Sequence, residues 1–214
     1  LTAPARSDAA EPGRIVILNG APRSGKSSIA RAVQETLDGI WLNLGVDLWM
    51  TATPHGLSPG IGLRPGGERP DLEVAIPALY GALFESIAAA SRLGLNVVTE
   101  VGLHDSYSIP MGILADLARR LTGLPVLFVG VRCPIEEIMR RRNASPPGSY
   151  ASGEPGDPPA PALLWQSEVH KPGVYDIEVD TSVASPVDCA MAIARRLDGP
   201  AAESAALRRL AAAP

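Results

Sequence analysis

Residues 14–28 read RIVILNGAPRSGKSS. The run RIVIL, 14–18, is short, apolar and rich in β-branched residues, and such a run bounded by turn formers predicts a buried parallel strand. Behind the turn, SSIARAVQETL sets Ile29, Val33 and Leu37 at helical spacing. Strand, glycine-rich turn and helix form the context in which Gly20-x-x-x-x-Gly25-Lys26-Ser27 reads as a phosphate-binding loop. A triphosphate needs several donors converging on one point, and successive backbone N–H groups at a helix N-terminus supply them. Every residue of Gly20-Ala21-Pro22-Arg23-Ser24-Gly25-Lys26-Ser27-Ser28 is therefore a candidate contact. Lys26, one of only two lysines in the chain, would reach the β- and γ-phosphates, and the Ser27 hydroxyl would join a Mg²⁺ shell.

Working outward, IWLNLG at 40–45, LNVVTEV at 95–101, PVLFVGVRC at 125–133 and YDIEVDTS at 175–182 predict four further strands. Helical patterns separate them. LEVAIPALYGALFESIAAASRL, 72–93, is one, with Pro77 set to kink or restart it. SIPMGILADLARRLTG, PIEEIMRRR with Pro134 in its first turn, ALLWQSEVH and SPVDCAMAIARRLDG follow, the last carrying Ser185 as N-cap, Pro186 at N1 and Asp188 at N3. Strands alternating with helices imply an α/β fold, a five-stranded parallel sheet with helices on both faces.

Domain organisation follows from composition. At 214 residues the chain suits one domain, residues 14–199, preceded by a small, polar tail at 1–13 and followed by a tail or short helix at 200–214. Two segments dense in Gly and Pro interrupt the domain: 51–71, a candidate substrate loop, and 143–163, a candidate lid. No apolar run reaches the ~20 residues that cross a bilayer. The formal charge of −4 disfavours a nucleic-acid-coating protein, and the oligomeric state stays open, a homo-oligomer included. Cys133 and Cys189 fit neither a disulfide framework nor a metal pattern and predict buried thiols in a reducing cytoplasm.

Ligands of parallel sheets sit beyond the carboxyl ends of the strands, which singles out the residues there. Asp47, after the second strand, sits where a base taking the proton of an attacking hydroxyl belongs; a helix N-cap is its competing role. Glu100, ending the third strand, is the candidate metal acid, with Asp105 as its understudy. Arg132, Arg140, Arg141 and Arg142 offer forked donors for phosphate, of which one or two can serve. His104 follows strand three. Trp49, Met50, Phe84 and Leu103 with His104 are candidates for the wall of a substrate pocket beside Asp47, plain core packing being the alternative.

Taken together, RIVILNGAPRSGKSS, WLNLGVDLWM, LFVGVRC, YDIEVDTS and SPVDCAMAIA resemble, in order and over residues 14 to 198, the chloramphenicol 3-O-phosphotransferase group of P-loop kinases. The resemblance implies a three-layer P-loop kinase fold with a lid, ATP and Mg²⁺ as cofactors, and transfer of the γ-phosphoryl group to a hydroxyl of a small molecule. It implies Asp47 as the catalytic carboxylate, Lys26 and Ser27 on phosphate and metal, Arg141 leading into the lid, and the 179–182 segment, with Asp180 and Thr181, near adenine. Two departures stand out: Thr99-Glu100 replaces an Asp-Asp pair, and Ser145 and Gly148 stand where the lid carries further arginines. Besides a kinase of an antibiotic such as chloramphenicol, two readings stay open: a kinase of a nucleoside, sugar or sugar nucleotide, and an ATP-binding module without transfer chemistry.

Overall fold

The structure, a computed structural model, describes residues 11–145, 157–198 and 204–212. Five strands, β1 (Ile15–Asn19), β2 (Trp41–Asn43), β3 (Asn96–Val101), β4 (Val126–Arg132) and β5 (Ile177–Asp180), form one sheet in the order β2-β3-β1-β4-β5. Every pair is parallel. Nine α-helices are present among the described residues: α1 (Lys26–Thr36), α2 (Val46–Ala52), α3 (Pro70–Glu73), α4 (Ile76–Arg92), α5 (Ile113–Arg120), α6 (Ile135–Asn143), α7 (Ala160–Glu168), α8 (Pro186–Leu197) and α9 (Ala205–Ala211).

All five residues of β1 are buried, as a central strand covered on both faces requires. Successive side chains leave it on opposite sides. Ile15 and Ile17 pack with Tyr80, Phe84 and Ile87 of α4, Leu117 of α5 and Leu207 of α9. Val16 and Leu18 pack with Ile29 and Val33 of α1 and Cys189 and Ile193 of α8. These are the two helical layers expected from alternation. Helix α8 starts as its sequence predicts, with a capping box in which Ser185 and Asp188 satisfy each other's backbone N–H groups.

Several local expectations change. The predicted helix 72–93 is two, α3 and α4, because Pro77 lacks an amide hydrogen and is accommodated in the first turn of a new helix. Pro134 is the N-cap of α6 rather than its first turn. The segment 51–71 is not an open loop: α2 runs to Ala52, 3-10 turns occupy His55–Leu57 and Gly60–Gly62, and α3 opens at Pro70. It is also tied down, for Tyr80 Oη donates to Ile61 O at 3.1 Å, Gly66 N donates to Ser106 O at 2.8 Å, and Glu73 accepts from Ser108.

Of the proposed lid, residues 146–156 lie outside the described residues, and its last part, from Ala160, is already helix α7. Residues 1–10, 199–203 and 213–214 likewise lie outside. The domain nevertheless extends past both boundaries drawn from sequence. Gly13 is buried and exchanges hydrogen bonds with Ser91. Helix α9 buries Ala206, Leu207 and Leu210 against α5, and Asp176 fastens it by accepting from Ser204 Oγ and Ala206 N. Cys133 and Cys189 are free and buried.

Candidate active site

The loop after β1 turns into α1 through residues that need left-handed backbone: Arg23 has φ 71° and Gly25, the N-cap of α1, φ 96°. A β-carbon on Gly25 would also meet Thr181 Cγ2 at 3.2 Å and Arg141 Nη1 at 3.3 Å, so this position excludes a side chain on two grounds. Lys26 folds back over the loop, Nζ donating to Gly20 O at 2.8 Å and Ala21 O at 2.9 Å. Desolvation draws its pKa down to about 8, against the opposing pull of Glu100 and Asp47. Both carboxylates therefore act on the ammonium group across one cleft.

In the sheet register Leu18 lies beside Glu100, which carries the glutamate to the level of the loop. Its Oε2 accepts from Ser27 Oγ at 2.5 Å and its Oε1 from Asn43 Nδ2 at 3.0 Å. Among the described residues, no arginine forms a salt bridge with this carboxylate. Asp105 serves a different purpose, accepting from the backbone of Met111 and Gly112 ahead of α5. Asp47 is exposed, in the first turn of α2, whose N-cap is Gly45.

Arg141, the middle of three successive arginines in α6, points at the loop. Its guanidinium donates to Glu137 Oε1 at 2.7 Å, Thr181 Oγ1 at 3.0 Å and Thr181 O at 2.8 Å, while Thr181 Oγ1 donates to Ser24 O at 2.7 Å. Arg140 and Arg141 together hold the Glu137 carboxyl down to about 2. Arg140 is taken up by Glu137 and Arg132 by Glu178.

A cavity of about 560 Å³ joins these groups. Pro22, Gly25, Lys26, Ser27, Ser28, Arg141 and Thr181 line it from the phosphate loop, α1, α6 and the turn after β5, and Val46, Asp47, Met50, Ile61, Gly102 and Trp165 line it from α2, the second 3-10 turn, the segment after β3 and α7. Ala21 and Ser24 are buried beneath the loop. Asp180 turns its carboxylate onto Ser182 and does not line the cavity.

Of the five wall candidates, Met50 lines the space. Phe84 and Leu103 are 0% exposed in the core between sheet and α4, Phe84 stacked on Tyr80. Trp49 is partly buried against that same core. His104 is 1% exposed: its Nδ1 accepts from Ser106 N, which leaves Nε2 to donate to Leu63 O at 3.1 Å. It supports the wall from behind, edge-on to Trp165 with centroids 5.2 Å apart. Asn43, Val46, Ile61, Gly102 and Trp165 are among the contributors that sequence reasoning missed. Asn43 and Asn19 stand at strand ends and were within reach of that filter; Trp165 carries no comparable signal.

The family model for chloramphenicol phosphotransferase-like proteins matches residues 13–198. The chain belongs to this family. A Mycobacterium tuberculosis H37Rv protein, provisionally named an O-phosphotransferase, is 29% identical over 196 residues, covering 82% of this chain and 77% of its own. Among solved structures, the M. tuberculosis APS kinase in complex with AMPPNP and APS superposes with TM-score 0.62 at 18% identity, covering 88% of this chain and 99% of that one. A sugar kinase from Janibacter gives 0.60 at 20% identity (89% and 97%), and the tunicamycin resistance protein of Deinococcus radiodurans 0.59 at 18% (87% and 96%). The fold is that of the P-loop kinases. Family and fold together support a small-molecule phosphotransferase of the kinase type. Among the described residues, no helix is long and apolar enough to cross a membrane.

Proposed function

We propose that this chain transfers the γ-phosphoryl group of ATP, with Mg²⁺, to a hydroxyl of a small uncharged molecule, an antibiotic such as chloramphenicol being one candidate. The observation that carries the reading is that Lys26, the Ser27–Glu100 pair and Asp47 share one cavity. A serine hydroxyl and a carboxylate oxygen at 2.5 Å are the hard donors Mg²⁺ prefers, and Asn43 keeps the carboxylate turned toward the serine. Ser27 and Glu100 would hold the metal, which when bound draws off the charge on the transferring phosphoryl group.

The loop amides and Lys26 bind and orient the polyphosphate. Asp47, an exposed carboxylate lining the same cavity as Lys26, accepts the proton of the attacking hydroxyl. Charge distribution supports an uncharged acceptor. The cationic lining residues, Arg23, Lys26, Arg141 and Arg142, come from the phosphate loop, α1 and α6, whereas the lining residues Val46, Met50, Ile61 and Trp165, from α2, the second 3-10 turn and α7, are uncharged. Arg64 and Arg69 of the substrate loop are engaged by Glu68 and Asp71, and residues 146–156 include no Lys, Arg or His. Among the described residues the cation that acts on Asp47 is Lys26, which serves the polyphosphate, so an anionic acceptor would meet Asp47 without a counter-charge of its own.

Incubation with Mg-ATP and a panel of hydroxylated antibiotics, nucleosides and sugars, read by mass spectrometry for a gain of one phosphate, tests this reading. Asp47→Ala should bind AMPPNP as the parent does and lose transfer by roughly 10²–10⁴-fold. Unaltered turnover in that variant removes Asp47 from the mechanism.

A further inference from the structure

Strand β1 ends in a side chain that the transfer chemistry does not use. Asn19 is 1% exposed and immediately precedes Gly20, whose carbonyl holds Lys26 Nζ. Its Oδ1 accepts from Leu103 N at 2.8 Å, and its Nδ2 donates to Val169 O at 2.8 Å and to Tyr175 Oη at 3.0 Å. One carboxamide thus grips three segments that lie 84, 150 and 156 residues away. Only a group with one acceptor and two donors does this, which aspartate and leucine of similar shape cannot.

The tyrosine is itself fixed. Its hydroxyl meets His170 Nδ1 at 2.8 Å, and its ring lies so close over β4 that a β-carbon on Gly130 would approach within 2.7 Å. Burial, then the nearby Arg132, hold His170 down to about 4, and burial pushes Tyr175 up to about 12, so both stay neutral. Two of the gripped segments bear cavity wall. Gly102 precedes Leu103. Trp165 stands one turn before Val169, whose N–H donates to Trp165 O at 3.0 Å. The indole rests on Gly102, where a β-carbon would come within 3.0 Å of it.

We infer that Asn19 is a positioning residue, holding Trp165 and Gly102 in register with the phosphate loop so that the acceptor wall and the loop behave as one body. Its catalytic consequence rests on the transferase reading above; its geometric consequence does not. Trp41→Phe/Trp49→Phe leaves Trp165 as the sole tryptophan, which is excited selectively at the red edge of the absorption band. In that protein, without nucleotide, Asn19→Ser should raise acrylamide quenching of Trp165 about two-fold or more, and Tyr175→Phe should raise it less. AMPPNP affinity, read by calorimetry, should stay within about three-fold in both, while KM for the acceptor found in the panel rises roughly 10-fold or more.

Unchanged quenching in both variants overturns the inference. So does a loss of AMPPNP affinity as large as the rise in acceptor KM, since that is general loosening. Should Asn19→Ser fail to fold, Tyr175→Phe, which keeps the carboxamide and deletes one oxygen, decides by the same two readouts. Failure of the parent to bind AMPPNP would sink the nucleotide reading instead, and the quenching arm would still judge Asn19.

Discussion

The Ser27 hydroxyl oxygen stands 2.5 Å from a carboxylate oxygen of Glu100, a residue 73 positions away. Parallel pairing of β1 with β3 creates this meeting, because Leu18 and Glu100 are register partners. Glu100→Gln keeps a hydrogen-bond acceptor for Ser27 and discards the charge. The Mg²⁺ concentration giving half of the AMPPNP-induced thermal shift should then rise roughly 10-fold. An identical Mg²⁺ titration in the variant removes Glu100 from the metal shell.

Lys26 predicts a pH dependence of definite sign. Its folded pKa, about 8, lies below the ordinary 10.5. Between these values the unfolded chain holds a proton that the folded chain has released, so this residue makes stability increase with pH across that window and leaves it constant above. Polyphosphate binding works the other way, since it favours the ammonium form. AMPPNP affinity should fall as pH rises through about 8, with proton uptake on binding, measurable by calorimetry in buffers of different ionisation enthalpy. No uptake near pH 8.5 would contradict this.

Gly25→Ala tests the turn into α1. At φ 96° a β-carbon is strained by about 1–2 kcal/mol, and here it would also press on Thr181 and Arg141. The variant should fold with a lowered melting temperature and lose most AMPPNP affinity. A variant binding AMPPNP like the parent would show that the loop tolerates displacement.

Phe84 and Met50 separate core from cavity. Phe84→Ala removes a fully buried ring and should cost roughly 3–5 kcal/mol in urea unfolding. Met50→Ala, on the cavity wall, should cost much less and act on acceptor KM. The reverse pattern would place Phe84 in the site.

Much of this architecture is readable from residues near one another in the chain. The β-branched runs, the caps of α8 and the glycine spacing at 20–25 are local signals, and local backbone chemistry decides them. The strand-end filter also picks out Asp47 and Glu100, both of which line the cavity. Other features depend on contacts that no periodicity encodes. Phe84 and Trp165 are both large aromatics on helices, and only the packing of α4 on the sheet and of α7 on Gly102 distinguishes a core ring from a cavity wall. Asn19 looks like an ordinary turn former; its role arises from three partners brought together by the sheet order. The stretch 200–214 reads as either a tail or a short helix, and the docking of α9 on α5 is not legible there, because seven residues rich in alanine carry little signal of their own.

The two outermost strands are the shortest of the five, three residues in β2 and four in β5. Each leaves few unpaired amide and carbonyl groups along its free side, so neither rim offers a template on which another polypeptide could continue the ladder. Among the described residues the sheet rims are accordingly poor sites for self-association, and crowding or partial heating should not seed strand-on-strand stacking from them in the native state.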